Sequence, residues 1–153
     1  LYIHQRDYMY FPTAEIPHAF QTERLAINSE SINVVVANAG RSDAIIYFGG
    51  NGETVASRAE DFAKTFPKHT IYLVNYRGYG GSTGTPTEKD LYSDASAIYD
   101  VVSKRHAHTS VIGRSIGTGV ATYVASVKPV YKLVDNLQKL LQSNSYIHGS
   151  QYS

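Results

Sequence analysis

Thr109-Ser110-Val111-Ile112-Gly113-Arg114-Ser115-Ile116-Gly117 decides the reading of this chain. A short β-like run, 109–112, enters the pentapeptide G-x-S-x-G, and a helix-like run, 118–127, leaves it. A serine on a sharp strand-to-helix turn is pushed up from a sheet. Gly113 and Gly117 flank it because the turn needs positive φ and close packing that a Cβ would block. This is the geometry of a nucleophile elbow. The spelling alone arises by chance in roughly one chain in twenty of this length, and the plain alternative is a glycine-rich loop with a solvated serine. The surrounding elements have to decide between them.

Working outward, 44–48 (Ala-Ile-Ile-Tyr-Phe) is a continuous apolar run of strand length, as expected for a strand buried on both faces near a sheet centre. It is bounded by Gly49-Gly50-Asn51-Gly52. Val55, Ala59, Phe62, Ala63 and Phe66 recur at helical spacing and stop at Pro67, which predicts a helix of about three turns. Residues 70–75 read as the next strand, followed by the glycine-rich 76–84. A second helix follows from Thr87, whose hydroxyl can cap with Asp90, and its apolar face runs Leu91, Ala95, Ile98 and Val102. Earlier, 24–28 and 32–37 read as neighbouring strands, 8–11 as a further one, and 38–43 as a turn. Strands alternating with helices imply a three-layer α/β/α sandwich with a mostly parallel sheet, whose functional groups gather at the carboxyl ends of the strands. Three glycine-rich loops leave that edge: 49–52, 77–84 and 113–117.

Composition narrows the function classes. At 153 residues, 42% hydrophobic and 18% charged, the chain suits one globular domain, 1–153, with a lead-in over 1–23 and a polar tail over 143–153 expected to be flexible. The net charge is +1 and basic residues are spread along the chain, which argues against nucleic acid as a partner. The absence of cysteine removes thiol catalysis, Cys-based zinc sites and disulfides. The aliphatic stretch 34–37 is far too short to span a bilayer. The sequence begins at Leu1 rather than methionine, which leaves room for an upstream signal or anchor and leaves localisation open.

The glycine-rich loops do not fit nucleotide binding. From Gly78 the pattern is Gly-Tyr-Gly-Gly-Ser-Thr and from Gly117 it is Gly-Thr-Gly-Val-Ala-Thr, so neither completes G-x-G-x-x-G, and no G-x-x-x-x-G-K-[ST] is present. No cofactor and no metal are expected. The loop at Gly50 and Asn51 suits a different role, because backbone N–H groups where a helix begins can face a developing negative charge. Acyl transfer needs two such donors, usually one from the residue after the nucleophile, here Ile116, and one from the loop after an earlier strand.

Tyr47-Phe48-Gly49-Gly50-Asn51-Gly52-Glu53, then Asn75-Tyr76-Arg77-Gly78-Tyr79-Gly80-Gly81-Ser82, then Leu91-Tyr92-Ser93-Asp94-Ala95, then Gly113-Arg114-Ser115-Ile116-Gly117-Thr118-Gly119 resemble the α/β-hydrolase superfamily. Within it the motifs are similar to those of the Bem46-like branch of serine hydrolases. The resemblance runs over about 8–129. It implies that Ser115 is the nucleophile and that the N–H groups of Ile116 and Asn51 form an oxyanion hole. Gly50, Gly113 and Gly117 would shape the loop and elbow. It also implies a small-molecule or acyl-ester substrate. Many relatives carry His-Gly where this chain has Gly49-Gly50, which removes a side chain and keeps the backbone donor.

A serine hydroxyl needs a histidine to take its proton and a carboxylate to orient that histidine. In this fold they follow the serine in the order acid, then histidine. After Ser115 only Asp135 and His148 have those side chains. Asp135 follows 132–134, which reads either as a strand or as part of a helical stripe 130–141 starting at Pro129, and its plain role is to cap a helix. His148 lies in the polar tail. His106 and His108 precede the elbow strand on the amino side of the sheet, where a solvated loop explains them better than a metal site.

Two functions are therefore expected: a serine hydrolase cleaving an ester, thioester or amide through an acyl-enzyme on Ser115, or a catalytically inactive hydrolase-fold piece. The resemblance also implies that the family's later strands lie outside this sequence. The elbow strand would then sit near an exposed sheet edge, where self-association is expected.

Overall fold

The computed structural model describes residues 9–135 and 137. Their strands are β1 (Gln21–Ile27), β2 (Glu30–Ala37), β3 (Asp43–Phe48), β4 (His69–Val74), β5 (His108–Gly113) and β6 (Leu133–Val134). They form one six-stranded sheet in the order β1-β2-β4-β3-β5-β6. β1 and β2 are joined through Asn28-Ser29, both at positive φ (48° and 67°), the backbone that a two-residue hairpin matched to strand twist requires. β2 runs antiparallel to β4, whereas β4, β3, β5 and β6 are mutually parallel.

Three helices complete the layers: α1 (Ala59–Thr65), α2 (Glu88–Ser103) and α3 (Ile116–Val127). Side chains alternate across the sheet with period two. Ile32, Val34, Ile46, Phe48 and Val74 fall in one core cluster with Leu91, Ala95, Ile98 and Val102 of α2 and Val120, Ala121 and Val124 of α3. Val35, Ile45, Tyr47, Ile71 and Leu73 fall in the other with Ala59 and Phe62 of α1. Each fully buried aliphatic or aromatic side chain contributes about 1.5–3 kcal/mol by leaving water, so the uninterrupted apolar run of β3 places it at the centre.

The capping signal holds, and several other local expectations need adjustment. Thr87 caps α2, its Oγ1 accepting the Asp90 N–H at 3.2 Å. The three-turn helix expected before Pro67 is one 3-10 turn, Val55–Arg58, followed by the short α1. No helix begins at Asn51, which lies in a turn. No strand forms over 9–11, and β1 already starts at Gln21, inside the expected lead-in. Over 130–134 the chain is not helical but supplies β6, parallel to β5 with Ile112 opposite Val134. The expected tail 143–153 lies outside the described residues.

Candidate active site

All three glycine-rich loops leave the carboxyl edge of the parallel strands, where β3 has β4 on one side and β5 on the other. Such a switch point opens a crevice. Ser115 stands there between β5 and α3 with φ 56° and ψ −122°. That conformation lies outside the ordinary left-handed well and matches the first central position of a type II′ turn, where glycine is the usual residue. The Ser115 side chain makes no cap hydrogen bond to α3, and the residue is exposed. A strained, uncapped serine presents its hydroxyl outward.

The positive φ expected of Gly113 and Gly117 falls on Ser115 instead, and close packing is what requires the two glycines. A Cβ on Gly113 would land on the Gly117 carbonyl, and one on Gly117 would land on the Phe48 carbonyl and lie 2.7 Å from the Gly49 oxygen. The Arg114 N–H donates to the Phe48 oxygen at 3.1 Å. The elbow is thus pressed against the end of β3.

The loop after β3 closes on the elbow from the other side. A Cβ on Gly50 would lie 3.3 Å from the Ser115 Cβ. The expectation that the Gly50 and Asn51 amides are both available needs correction, because the Gly50 N–H donates to Glu53 Oε1 at 3.1 Å. Among the described residues the Asn51 and Ile116 amides have no such partner. The Asn51 side chain is occupied elsewhere: its Oδ1 accepts the Phe11 N–H at 2.8 Å and the Tyr79 hydroxyl at 2.7 Å, and its Nδ2 donates to the Met9 carbonyl at 2.7 Å. Residues 9–13 thereby strap the loop in place, with the Gly80 N–H donating to Thr13. The Tyr76 hydroxyl, buried, donates to the Gly49 carbonyl at 2.7 Å, and burial raises its pKa well above the ordinary tyrosine value.

A pocket of about 120 Å³ opens beside Ser115 and Ile116, walled by Tyr10, Leu91, Tyr92 and Gly119. Glu88 also lines it, with Oε2 buried and without a hydrogen-bond partner among the described residues. Arg77 turns away from this pocket to α2, where it holds Asp94 through two bonds of 2.8 Å. Among the described residues no group of three or more His, Cys, Asp or Glu side chains is placed to hold a metal ion.

No protein-family model matches the chain. Among curated proteins it is 40% identical over 88 residues to human Protein ABHD12B, covering 54% of this chain and 24% of that protein. It is 34% identical over 91 residues to the rat lysophosphatidylserine lipase ABHD12, with coverage of 56% and 23%. Against the Arabidopsis thaliana alpha/beta hydrolase domain-containing protein WAV2 it is 29% identical over 112 residues, with coverage of 69% and 35%. Among solved structures, the epoxide hydrolase VrEH1 of Vigna radiata superposes with a TM-score of 0.62 at 16% identity, covering 74% of this chain and 38% of that one. The chain belongs to the α/β-hydrolase superfamily. It spans between 23% and 35% of the length of these three curated relatives. A thioesterase domain from the curacin biosynthetic pathway superposes with a TM-score of 0.61 at 18% identity, covering 76% of this chain and 45% of that one. One α/β-hydrolase fold therefore carries different bond cleavages, and the fold does not set the bond.

In this α/β-hydrolase chain the partners of Ser115 are less complete than the elbow. Asp135 follows β6 directly, so it reaches the carboxyl edge one strand over from the elbow strand. It is exposed and has no hydrogen bond or ion pair among the described residues. His148 lies outside the described residues, as does His4. The other four histidines stand away from the elbow. His69, His106 and His108 lie at the amino edge, where His106 Nδ1 donates to the Arg41 carbonyl at 2.8 Å and its Nε2 accepts the Tyr72 hydroxyl at 2.7 Å. His108 Nδ1 donates to Asp43 at 3.0 Å. His18 serves the turn before β1, at the sheet edge opposite β6.

One buried group escaped the reading from sequence. Glu53, with its side chain only 8% exposed, accepts from Gly50, Tyr47, Arg58 and Arg114. Burial alone would raise its pKa, but the hydrogen bonds from Tyr47, Gly50 and Arg114 and the charge of Arg58 outweigh it and hold the carboxyl below its ordinary value. Burial, followed by the bond to Glu53, drives the Tyr47 phenol far upward. A lone acid in a glycine-rich turn reads as solvated, and its partners lie up to 61 positions away.

Proposed function

We propose that the chain carries the nucleophile and oxyanion hole of a serine hydrolase. The Ser115 oxygen attacks a carbonyl carbon, its proton passes to a histidine base, and the carbonyl electron pair moves onto oxygen opposite the Ile116 and Asn51 amides. Collapse of that intermediate expels an alcohol, thiol or amine that takes the proton from the histidine. Water then cleaves the acyl-enzyme. Two amide donors aimed at a developing oxyanion lower the barrier by about 3–4 kcal/mol per essential donor. The observation that carries the reading is the backbone of Ser115: a non-glycine residue at φ 56° and ψ −122°, exposed, at the start of α3. Strain of this kind persists only where the surroundings over-determine it, and it clusters at active sites.

Within this sequence, Asp135 and His148 are the residues that stand in the chain order of acid and base, and the family's later strands offer other positions for both roles. The bond is an ester, a thioester or an amide, and similarity to a lysophosphatidylserine lipase favours the ester. The branch resembling Bem46 fits the same motifs. A fluorophosphonate probe is expected to label the folded protein at Ser115 and to leave Ser115→Ala unlabelled. Equal labelling of both sinks the assignment. His148→Ala and Asp135→Asn test the base and acid: wild-type turnover in either moves that role to another residue. A second reading, a non-catalytic member of the fold, is favoured by the placement of all four described histidines away from Ser115. It predicts ester turnover no faster than that of Ser115→Ala.

A further inference from the structure

We infer that Glu53 is a positioning residue that clasps the two halves of the oxyanion hole into one rigid unit. The inference rests on Ser115 being the nucleophile. Glu53 Oε1 accepts both the Gly50 N–H at 3.1 Å and Arg114 Nη1 at 2.6 Å, so one oxygen ties the loop after β3 to the residue preceding Ser115. Oε2 accepts the Tyr47 hydroxyl at 2.6 Å and Arg58 Nε at 3.0 Å, which anchors the same carboxylate to β3 and to the 3-10 turn. All four donors come from different elements.

Turn geometry makes the clasp useful. The Glu53 N–H donates to the Gly50 carbonyl at 3.2 Å, and Gly52 sits at φ 73°, so 50–53 form a β-turn with its positive-φ residue in the third position. In such a turn the N–H of the second residue, here Asn51, takes no part in the internal bond. Glu53 therefore closes the turn through the backbone and the Gly50 N–H through its side chain, leaving the Asn51 N–H as the donor that faces outward. Charge supports the same arrangement. Arg58 and Arg114 neutralise the carboxylate they hold, so the clasp itself adds no negative charge beside Ser115, where negative charge develops on the substrate. A buried carboxylate without these donors would be costly, which explains why Arg58 and Arg114 both reach it. Glu53 touches no substrate in this scheme and acts through the loop and elbow it holds.

The test compares wild type, Ser115→Ala, Glu53→Gln and Arg114→Gln as full chains, measuring fluorophosphonate labelling rates and the kcat and KM of an activated ester. In Glu53→Gln one of the two acceptor oxygens becomes an NH₂ that faces the donors of one arm, so at least one arm of the clasp is lost. Acylation and kcat are expected to fall about 10–100-fold, less than or comparable to deleting one oxyanion donor. KM is expected to stay within about threefold, because no ground-state contact is removed. Tyr47→Phe removes a donor from the distal oxygen alone, so its kcat is expected to fall less than that of Glu53→Gln, and an equal or larger fall overturns the assignment of the coupling to Oε1. Wild-type labelling no faster than Ser115→Ala overturns the nucleophile and this inference together. An unreactive Ser115→Ala beside a Glu53→Gln of wild-type kcat overturns this inference alone. If Glu53→Gln does not fold, Arg114→Gln decides, since Arg114 is half-exposed: a kcat within twofold of wild type overturns the clasp, and a drop of about 3–10-fold at constant KM supports it.

Discussion

Replacing Ser115 by glycine is expected to stabilise the fold relative to replacing it by alanine. At φ 56° and ψ −122° any residue with a Cβ is strained, at a cost of order 1–3 kcal/mol, and alanine keeps that strain while glycine relieves it. Against this stands the greater freedom of glycine in the unfolded chain, about 0.4–1 kcal/mol. Both variants lack the hydroxyl, so its loss cancels. Ser115 is exposed, so its Cβ buries little surface. The net advantage of glycine is therefore about 0.5–2 kcal/mol. For a chain of 153 residues this raises Tm by about 1–8 °C, since each kcal/mol shifts a domain of this size by roughly 2–4 °C. Thermal unfolding followed by circular dichroism, with urea midpoints at equal m-value, measures it. A Ser115→Gly variant equal to or less stable than Ser115→Ala refutes the strained elbow, whatever its catalytic fate.

Three further outcomes follow from the packing. Gly117→Ala pushes a Cβ to 2.6 Å from the Phe48 carbonyl carbon, a backbone atom that cannot swing aside, so a loss of about 3 kcal/mol and a Tm drop of about 6–12 °C are expected by calorimetry, together with loss of Ser115 labelling. Thr87→Ala removes the cap of α2 and is expected to cost about 1 kcal/mol in urea unfolding, with labelling unchanged, because the cap lies outside the elbow. Glu53, whose folded pKa is depressed, contributes stability that is full above its ordinary value of 4.5 and is lost as pH falls through the folded value. The stability gap between wild type and Glu53→Gln is thus expected to hold constant from neutral pH down and to narrow below 4.5, and a gap unchanged through acid unfolding contradicts it.

The parts of this fold that rest on local periodicity are legible in the sequence. The apolar run of β3 and the stripe of α2 each bury one chemistry against one layer, and the elbow's glycines mark a turn that only small residues permit. The misreadings have a common physical origin in contacts distant along the chain. Residues 8–11 read as a strand, yet 9–13 form none, because their backbone groups are taken by hydrogen bonds to Asn51 and Gly80 instead of a ladder. Over 130–134, where the sequence leaves strand and helical stripe both open, the strand wins because the open side of β5 offers ladder bonds that a helix cannot use: the Val111 N–H donates to Lys132 and the Tyr131 N–H to Thr109. Glu53 carries no pattern in sequence, since its meaning depends on four donors that only folding brings together.

The contacts that fix Ser115 are independent of any base. The Phe48 carbonyl receives the Arg114 N–H and is approached by Gly117. The Glu53 carboxylate holds Gly50 and Arg114, and Tyr76 holds Gly49. Each lies within 47–117, and none involves a histidine. The strain at Ser115 is therefore offset by backbone packing and buried hydrogen bonds that need no histidine. On the proposed mechanism, an elbow built this way orients Ser115 and the two amides in advance, so none of that ordering has to occur during acylation. The proton acceptor then contributes only the transfer from the hydroxyl. For that reason loss of the base and loss of the clasp have different signatures: the first removes reactivity and leaves the relative stabilities of Ser115→Gly and Ser115→Ala unchanged. Opening the clasp at Glu53 relaxes the loop and elbow together and shrinks that difference, because the surroundings that impose the strain have themselves been loosened.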